Sequence, residues 1–419
     1  MIIFPGRGCP DRGSGCTWHT GGVSESVALP LSESALRGLG GRPFGVYVHV
    51  PFCATRCGYC DFNTYTAQEL GSDASQQAWL DGLRQELELG ARTLGNPPEA
   101  QTVFVGGGTP SLLGADGLGA VLDAVRDSFG LSPDAEVTTE SNPESTSPEF
   151  FSGLLDAGFT RVSLGMQSAA PHVLRVLDRV HTPGRPVEAA REALGAGFEH
   201  VSLDLIYGTP GESDDDLRGS LEAVLQAGVD HVSAYSLIVE EGTALGRRVR
   251  KGELPEPDED VLADRYEIID SMLAKAGLSW YEVSNWAADR QARCEHNLIY
   301  WRGGDWWGAG PGAHSHVGGV RWWNVKHPAR YAALLRQGES PAAGHEALSV
   351  ADRYMERVML ELRIADGLPM SALDAEAQSE ARRAADEGLL DRDSIERHDR
   401  AVLTDRGRLL ADGVVRRLV

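Results

Sequence analysis

The chain has 419 residues, 42% hydrophobic and 24% charged, with a formal net charge of −22 at pH 7. That content excludes a disordered chain and suits two or three domains, or one long α/β barrel. Such acidity excludes a nucleic-acid backbone as the expected partner, and no run of 18 apolar residues predicts a transmembrane helix.

Residues 1–41 read as an irregular leader rich in Gly, Ser and Pro, without periodicity or a signal-peptide core. A cytoplasmic location is the expectation. Cys9 and Cys16 lie here and read either as a second metal or redox pair or as incidental thiols.

From Phe44 a rhythm begins of short apolar run, polar turn and amphipathic helix. The runs are 44–50 (FGVYVHV), 102–106 (TVFVG), 136–140 (EVTTE), 161–165 (RVSLG), 200–208 (HVSLDLIYG) and 231–237 (HVSAYSL). Short and β-branched, they read as buried parallel strands. Between them, Leu80, Leu83 and Leu87, then Leu118, Val121, Leu122 and Val125, then Leu217, Leu221 and Val224 recur at helical spacing, and Ser213 caps the last helix. Six strand–helix alternations predict an α/β fold, either a doubly wound sheet or a partial (β/α)6 barrel occupying 42–280. In both, chemistry gathers beyond the C-terminal strand ends. The periodicity then predicts a long helix over 257–277. Residues 281–349 form a connecting segment dense in Trp, His and Gly. Residues 350–419 read as a smaller α-rich domain with a terminal wing, in the manner of a winged helix.

Just past the first strand, Cys53, Cys57 and Cys60 stand at C-x3-C-x2-C spacing. Three thiolates can hold three corners of a [4Fe–4S] cube and leave the fourth iron open to a ligand. Zinc, with His49 as fourth ligand, is the alternative. Polar groups follow the other strands: Gly106-Gly107-Gly108-Thr109-Pro110, Glu140 in ESNP, Gln167, Arg179 and Asp204. Alone, the glycine run is a tight turn and Arg179 a surface charge. Beside an open iron, glycines permit close backbone approach to a ligand, and an Asp at a strand end suits ribose hydroxyls.

The cysteine spacing resembles the hallmark of the radical S-adenosylmethionine (SAM) superfamily. YVHVPFC, GGGTP, ESNP, LGMQS, the DRVH run and DLIYGTPGE resemble, in order, the branch holding oxygen-independent coproporphyrinogen III dehydrogenase and the heme chaperone HemW. The resemblance runs from about residue 44 to the C-terminus. It implies a [4Fe–4S] cluster on Cys53, Cys57 and Cys60, with SAM held by Tyr47, Tyr59, Gly107, Gly108, Thr109, Glu140, Gln167, Arg179 and Asp204. Within the branch, the dehydrogenase has a fourth cysteine where this chain has Phe62. HNLIYW (His296 to Trp301) resembles the HNxxYW motif of the chaperone, which implies heme contact at His296. His314, His316 and Cys294 are further candidates; a hydrogen-bonded core histidine and a tryptophan-rich domain seal are the plain structural readings of this segment. The resemblance thus implies heme binding and delivery to apo-cytochromes or respiratory enzymes, with an electron donor such as a flavodoxin or ferredoxin, and leaves peripheral membrane association open. The competing reading is an oxidoreductase of porphyrin biosynthesis that decarboxylates coproporphyrinogen III.

Overall fold

The computed structural model describes residues 31–70, 75–179 and 181–419. Cys9 and Cys16 lie outside them. All six expected strands form: β1 Phe44–Val50, β2 Ala100–Gly107, β3 Leu131–Ser141, β4 Arg161–Gln167, β5 His200–Tyr207 and β6 His231–Ser236. They pair in chain order and all in parallel. The helices between them are α1 Gln76–Leu94, α2 Gly114–Phe129, α3 Pro148–Ala157, α4 Arg185–Ala196 and α5 Asp214–Ala227, and α6 Glu259–Lys275 follows β6. Ser213 caps α5 through a reciprocal box with Asp216.

Each strand has two unlike faces, because side chains alternate along a strand. Val46, Val48, Val103, Val105, Val162, Leu164, Leu203 and Val232 face the helices and are fully buried there with Leu83, Leu87, Val121, Leu122, Leu221 and Val224. The other face is largely polar. Thr102, Glu136, Arg161, Ser163, Ser202, Asp204 and His231 hydrogen-bond across neighbouring strands or to the segment that closes over them. The strands thus enclose a polar lumen.

The segment 281–349 builds onto this sheet. β7 Ser279–Glu282 and β8 Asn285–Ala287 extend it antiparallel beyond β6. At the other edge β9 Asp305–Ala309 lies parallel to β1, and β10 His314–Val317, β11 Val320–Asn324 and, after helix α8 Pro328–Arg336, β12 Ala342–Ala347 continue antiparallel, giving twelve strands. Trp307 and Trp322, in edge-to-face contact at 5.1 Å, are buried in the main core, where Trp307 also meets Phe129 of α2. They anchor the added strands to the helical layer; Trp301 packs against C-terminal residues at Leu360 and Ile364, and Trp280 does so under the Arg408 guanidinium, 4.7 Å from its ring.

Between β8 and β9, helix α7 Glu295–Trp301 closes the lumen at the end where the strands begin. The Glu136 carboxylate accepts the N–H groups of Glu295 at 3.0 Å and His296 at 2.9 Å, and Arg161 Nε donates to it at 3.1 Å. Residues 350–419 fold around a second core that includes Val358, Leu362, Leu368, Ala381 and Val414. Its helices include α9 Val350–Glu361 and Ala375–Asp386, and its strands Leu368–Pro369 and Arg400–Ala401 pair antiparallel. Arg408 fixes it to α6 through both oxygens of Asp270, each at 3.0 Å. No helix of the described residues is long and apolar enough to cross a membrane.

Candidate functional site

Cys53, Cys57 and Cys60 sit in and after a two-residue strand, Phe52–Cys53, that continues β1 beyond Pro51. All three are free and half-buried. The loop is pinned from outside: Gly58 N–H donates to Leu177 O and Leu245 N–H to Gly58 O. Burial pushes the Cys60 thiol up to about 11, with the neighbouring sulfurs adding to it, and burial also raises Cys53. Buried thiols held in one small loop without a disulfide become thiolates when a metal takes the proton's place.

The glycine run is threaded against this loop. Gly108 N–H donates to Val50 O and Thr109 N–H to Phe52 O at 2.7 Å, which brings Thr109 Oγ1 to 3.8 Å from Cys53 Sγ. Gly107 has φ +113, and a Cβ there would stand 2.6 Å from the His49 ring. Only glycine fits that approach. Gly107 N–H in turn donates to Glu140 Oε2 at 2.9 Å. Burial, reinforced by Asp204, raises the Glu140 carboxyl to about 7 despite that hydrogen bond.

Arg179 ties the far side in. Its Nη1 donates to Cys57 Sγ at 3.3 Å, its Nε to His181 Nε2 at 2.7 Å, and its Nη2 reaches Gly165 O at 3.5 Å. Tyr59 lies among the same groups, its hydroxyl pKa raised by burial and by Cys57. Gln167 holds a left-handed φ of +66 where the β4–β5 register slips, a backbone distortion of the kind found at ligand sites. Tyr47 stands deeper, stacked on Phe104 at 6.3 Å, and its hydroxyl donates to His49 Nδ1 at 3.0 Å. His49 Nε2 donates to Asn63 O at 2.9 Å. Both His49 nitrogens are therefore used, which removes it as the zinc ligand.

Asp204 was legible, but its cradle was not. Ser163 Oγ donates to Asp204 Oδ2 at 2.7 Å and Ser202 Oγ to Oδ1 at 3.2 Å, and Ser202 also meets Ser233. The signal was present: a Val-Ser pair opens the runs of β4, β5 and β6.

Among the described residues, no three His, Cys, Asp or Glu side chains converge at the spacing of a single metal ion. A cube takes one thiolate per iron, so its cysteines stand apart rather than around one point. The donor set fits such a group: three unpaired thiols in one loop, a guanidinium on one and a hydroxyl beside another. His181 Nδ1 and Thr138 Oγ1 are buried with no hydrogen-bond partner among the described residues, as is expected of a site that receives a polar ligand.

His296 is not part of this cluster of side chains. It is 1% exposed, with Nδ1 2.7 Å from Thr102 Oγ1 and Nε2 2.8 Å from Tyr300 Oη. Burial lowers its pKa to about 3, so the ring is neutral. As folded it offers no free nitrogen to iron, and it stands over the start of β2, away from the cysteines beyond the end of β1. The expected axial ligand is, in its observed setting, a hydrogen-bonded histidine in the floor of the lumen. Cys294 is buried beside it, its sulfur 3.6 Å from Glu136 Oε1.

Residues 47–224 match the family described as Radical SAM superfamily. The chain is 59% identical over 390 residues, 93% of its length and 98% of the relative's, to the heme chaperone HemW of Mycobacterium tuberculosis (strain CDC 1551 / Oshkosh). It is 33% identical to the Bacillus subtilis heme chaperone HemW over 88% of this chain and 97% of that one. The solved structure of coproporphyrinogen III oxidase (HemN) from Escherichia coli, a radical SAM enzyme, superimposes with a TM-score of 0.77 at 24% identity over 92% of each chain, which shows a shared fold. The chain belongs to the HemW family of the radical SAM superfamily.

Proposed function

We propose that this protein is a heme chaperone that carries a [4Fe–4S] cluster on Cys53, Cys57 and Cys60, binds SAM beside it, and passes heme to apo-cytochromes or respiratory enzymes. The observation that carries the reading is the 59% identity to a heme chaperone along 93% of the chain. When bound, a reduced cluster supplies an electron to SAM. The chain's own residues do the holding. Glu140 presents a carboxylate for the amino group of SAM, Gly107 and Gly108 leave room for its backbone-like end, and Asp204 and Gln167 offer acceptors for its hydroxyls. Arg179, Tyr59, Thr109 and Tyr47 complete the wall. The cytoplasm, with a flavodoxin or ferredoxin as electron donor, suits unpaired thiols and a reducible cluster.

Phe62 favours this reading over decarboxylation of coproporphyrinogen III. It occupies the place of the dehydrogenase's fourth cysteine, and it is half-buried with its carbonyl accepting Thr64 N–H at 2.8 Å. The test is anaerobic: the reconstituted protein is offered hemin and an apo-cytochrome, and in parallel coproporphyrinogen III with SAM and reductant. Heme transfer without decarboxylation is the expected result. Protoporphyrinogen formation would replace the chaperone reading with the enzyme.

A further inference from the structure

The HNLIYW motif braces a cavity on the other side of the sheet edge. From His296 a line of aromatic contacts runs outward. Tyr300 lies edge-on to His296 at 5.0 Å, Trp306 edge-on to Tyr300 at 4.6 Å, and His316 against Trp306 at 5.0 Å. Trp306 and His316 are register partners in β9 and β10. Arg302, directly after the motif, reaches the same place. Arg302 and His316 line, with Arg42, Arg353, Leu348 and Leu360, a cavity of about 310 Å³ between the added strands and α9. That is the lower end of the size range of ligand sites.

Three features describe what it takes. The first is charge. In a protein of net charge −22, four arginines (Arg42, Arg302, Arg353, Arg357) line this cavity against two glutamates. The glutamates are already matched, Glu356 by Arg321 at 3.0 Å and Glu361 by Arg357 at 2.8 Å. Arg42 is paired with buried Asp305 and Arg302 with Asp366. The guanidinium of Arg353, exposed on α9, has no partner among the described residues. A carboxylate-bearing ligand would meet it. The second feature is the apolar lining of Leu348 and Leu360, with the side-chain-free Gly318 and Gly319 beside them. The third is His316. Its Nδ1 donates to Gly304 O at 2.8 Å, which fixes the proton on that nitrogen. The other nitrogen, Nε2, is left as an acceptor with no partner among the described residues. Burial lowers the ring's pKa and keeps it neutral. An imidazole whose Nδ1–H is tied to a backbone carbonyl is oriented as metal-ligating histidines are.

We propose that this cavity is the docking site for an iron porphyrin, with His316 Nε2 on the iron and Arg353 on a propionate carboxylate. It rests on the heme-chaperone reading and moves the ligand from His296 to His316. Binding replaces a water on the iron by the imidazole; no electron moves. A cavity of this volume leaves part of the macrocycle uncovered, which suits a cargo that must be handed on.

The experiment uses the full-length, cluster-reconstituted protein as wild type, His316→Ala and Arg353→Glu, titrated with hemin by absorbance and with iron-free protoporphyrin IX by fluorescence. Iron content per chain and thermal melting confirm that each variant is folded. His316→Ala is expected to weaken hemin about tenfold and shift its Soret band, while leaving protoporphyrin IX binding unchanged. Arg353→Glu is expected to weaken both porphyrins. Wild-type binding with both variants unchanged in affinity and spectrum overturns the site but leaves the chaperone reading standing. Absence of hemin binding by the wild type overturns both.

Discussion

Arg179 Nη1 donates to the sulfur of Cys57 at 3.3 Å, joining the turn after α-helical residues 171–176 to the cysteine loop across 122 positions of sequence. A cation against a cluster ligand stabilises added electron density on the cluster. Arg179→Ala is therefore expected to keep its iron, to lower the cluster's midpoint potential in an EPR-monitored redox titration, and to weaken SAM binding about tenfold. An unchanged potential would mean that the contact is absent once iron is bound.

Iron loading separates the cysteines. Serine at Cys53, Cys57 or Cys60 is expected to remove most of the iron and the visible absorbance of the reconstituted protein. Cys294→Ser is expected to leave both unchanged, since Cys294 lies against Glu136 at the opposite end of the lumen. Equal loss in all four variants would show that iron content reports folding rather than ligation.

Glu140 carries a pH dependence. Its carboxyl is raised to about 7 by burial, so below that value it is a neutral acid that cannot pair with an ammonium group. SAM affinity is expected to rise severalfold between about pH 6 and 7.5, and Glu140→Gln, which can still accept Gly107 N–H, should flatten that rise. Stability runs the other way. The folded state binds this proton more tightly than the unfolded chain does, so the contribution is full below the ordinary carboxylate value of 4.5 and is lost as pH rises through about 7. Denaturant titrations of wild type and Glu140→Gln across that window check the sign.

His296→Ala is expected to destabilise the fold by about 3 kcal/mol, because it empties a buried site and strands the hydroxyls of Thr102 and Tyr300. Urea denaturation measures this. At temperatures where the variant is folded, the spectrum of bound hemin should match the wild type. A changed Soret band in a fully folded variant would restore His296 as the ligand.

Much of the fold was legible because its signals are local. Strand runs at 44–50, 161–165 and 231–237 carry β-branched residues at short range, and helix faces such as Leu118, Val121, Leu122 and Val125 repeat within two turns. The cysteine loop was legible for the same reason: three thiols within eight residues must share one place. The polar lumen was not, because the apolar runs looked uniformly buried. The alternation that puts Ser163, Ser202 and Asp204 together acquires meaning only when β4, β5 and β6 align in register.

The amino-acid sequence by itself determined the strand–helix rhythm, the three thiols in one loop and the glycines that must pass close to it. Tertiary structure decided what HNLIYW does. His296 meets Thr102 from 194 positions away and Glu136 from 160, and Trp306 stands opposite Gly45 where β9 runs parallel to β1. No local pattern encodes such pairings. They arise when α7 closes the lumen and buried polar groups must find partners there, which uses both His296 nitrogens, whereas His316 lines a cavity with only its Nδ1 hydrogen-bonded among the described residues.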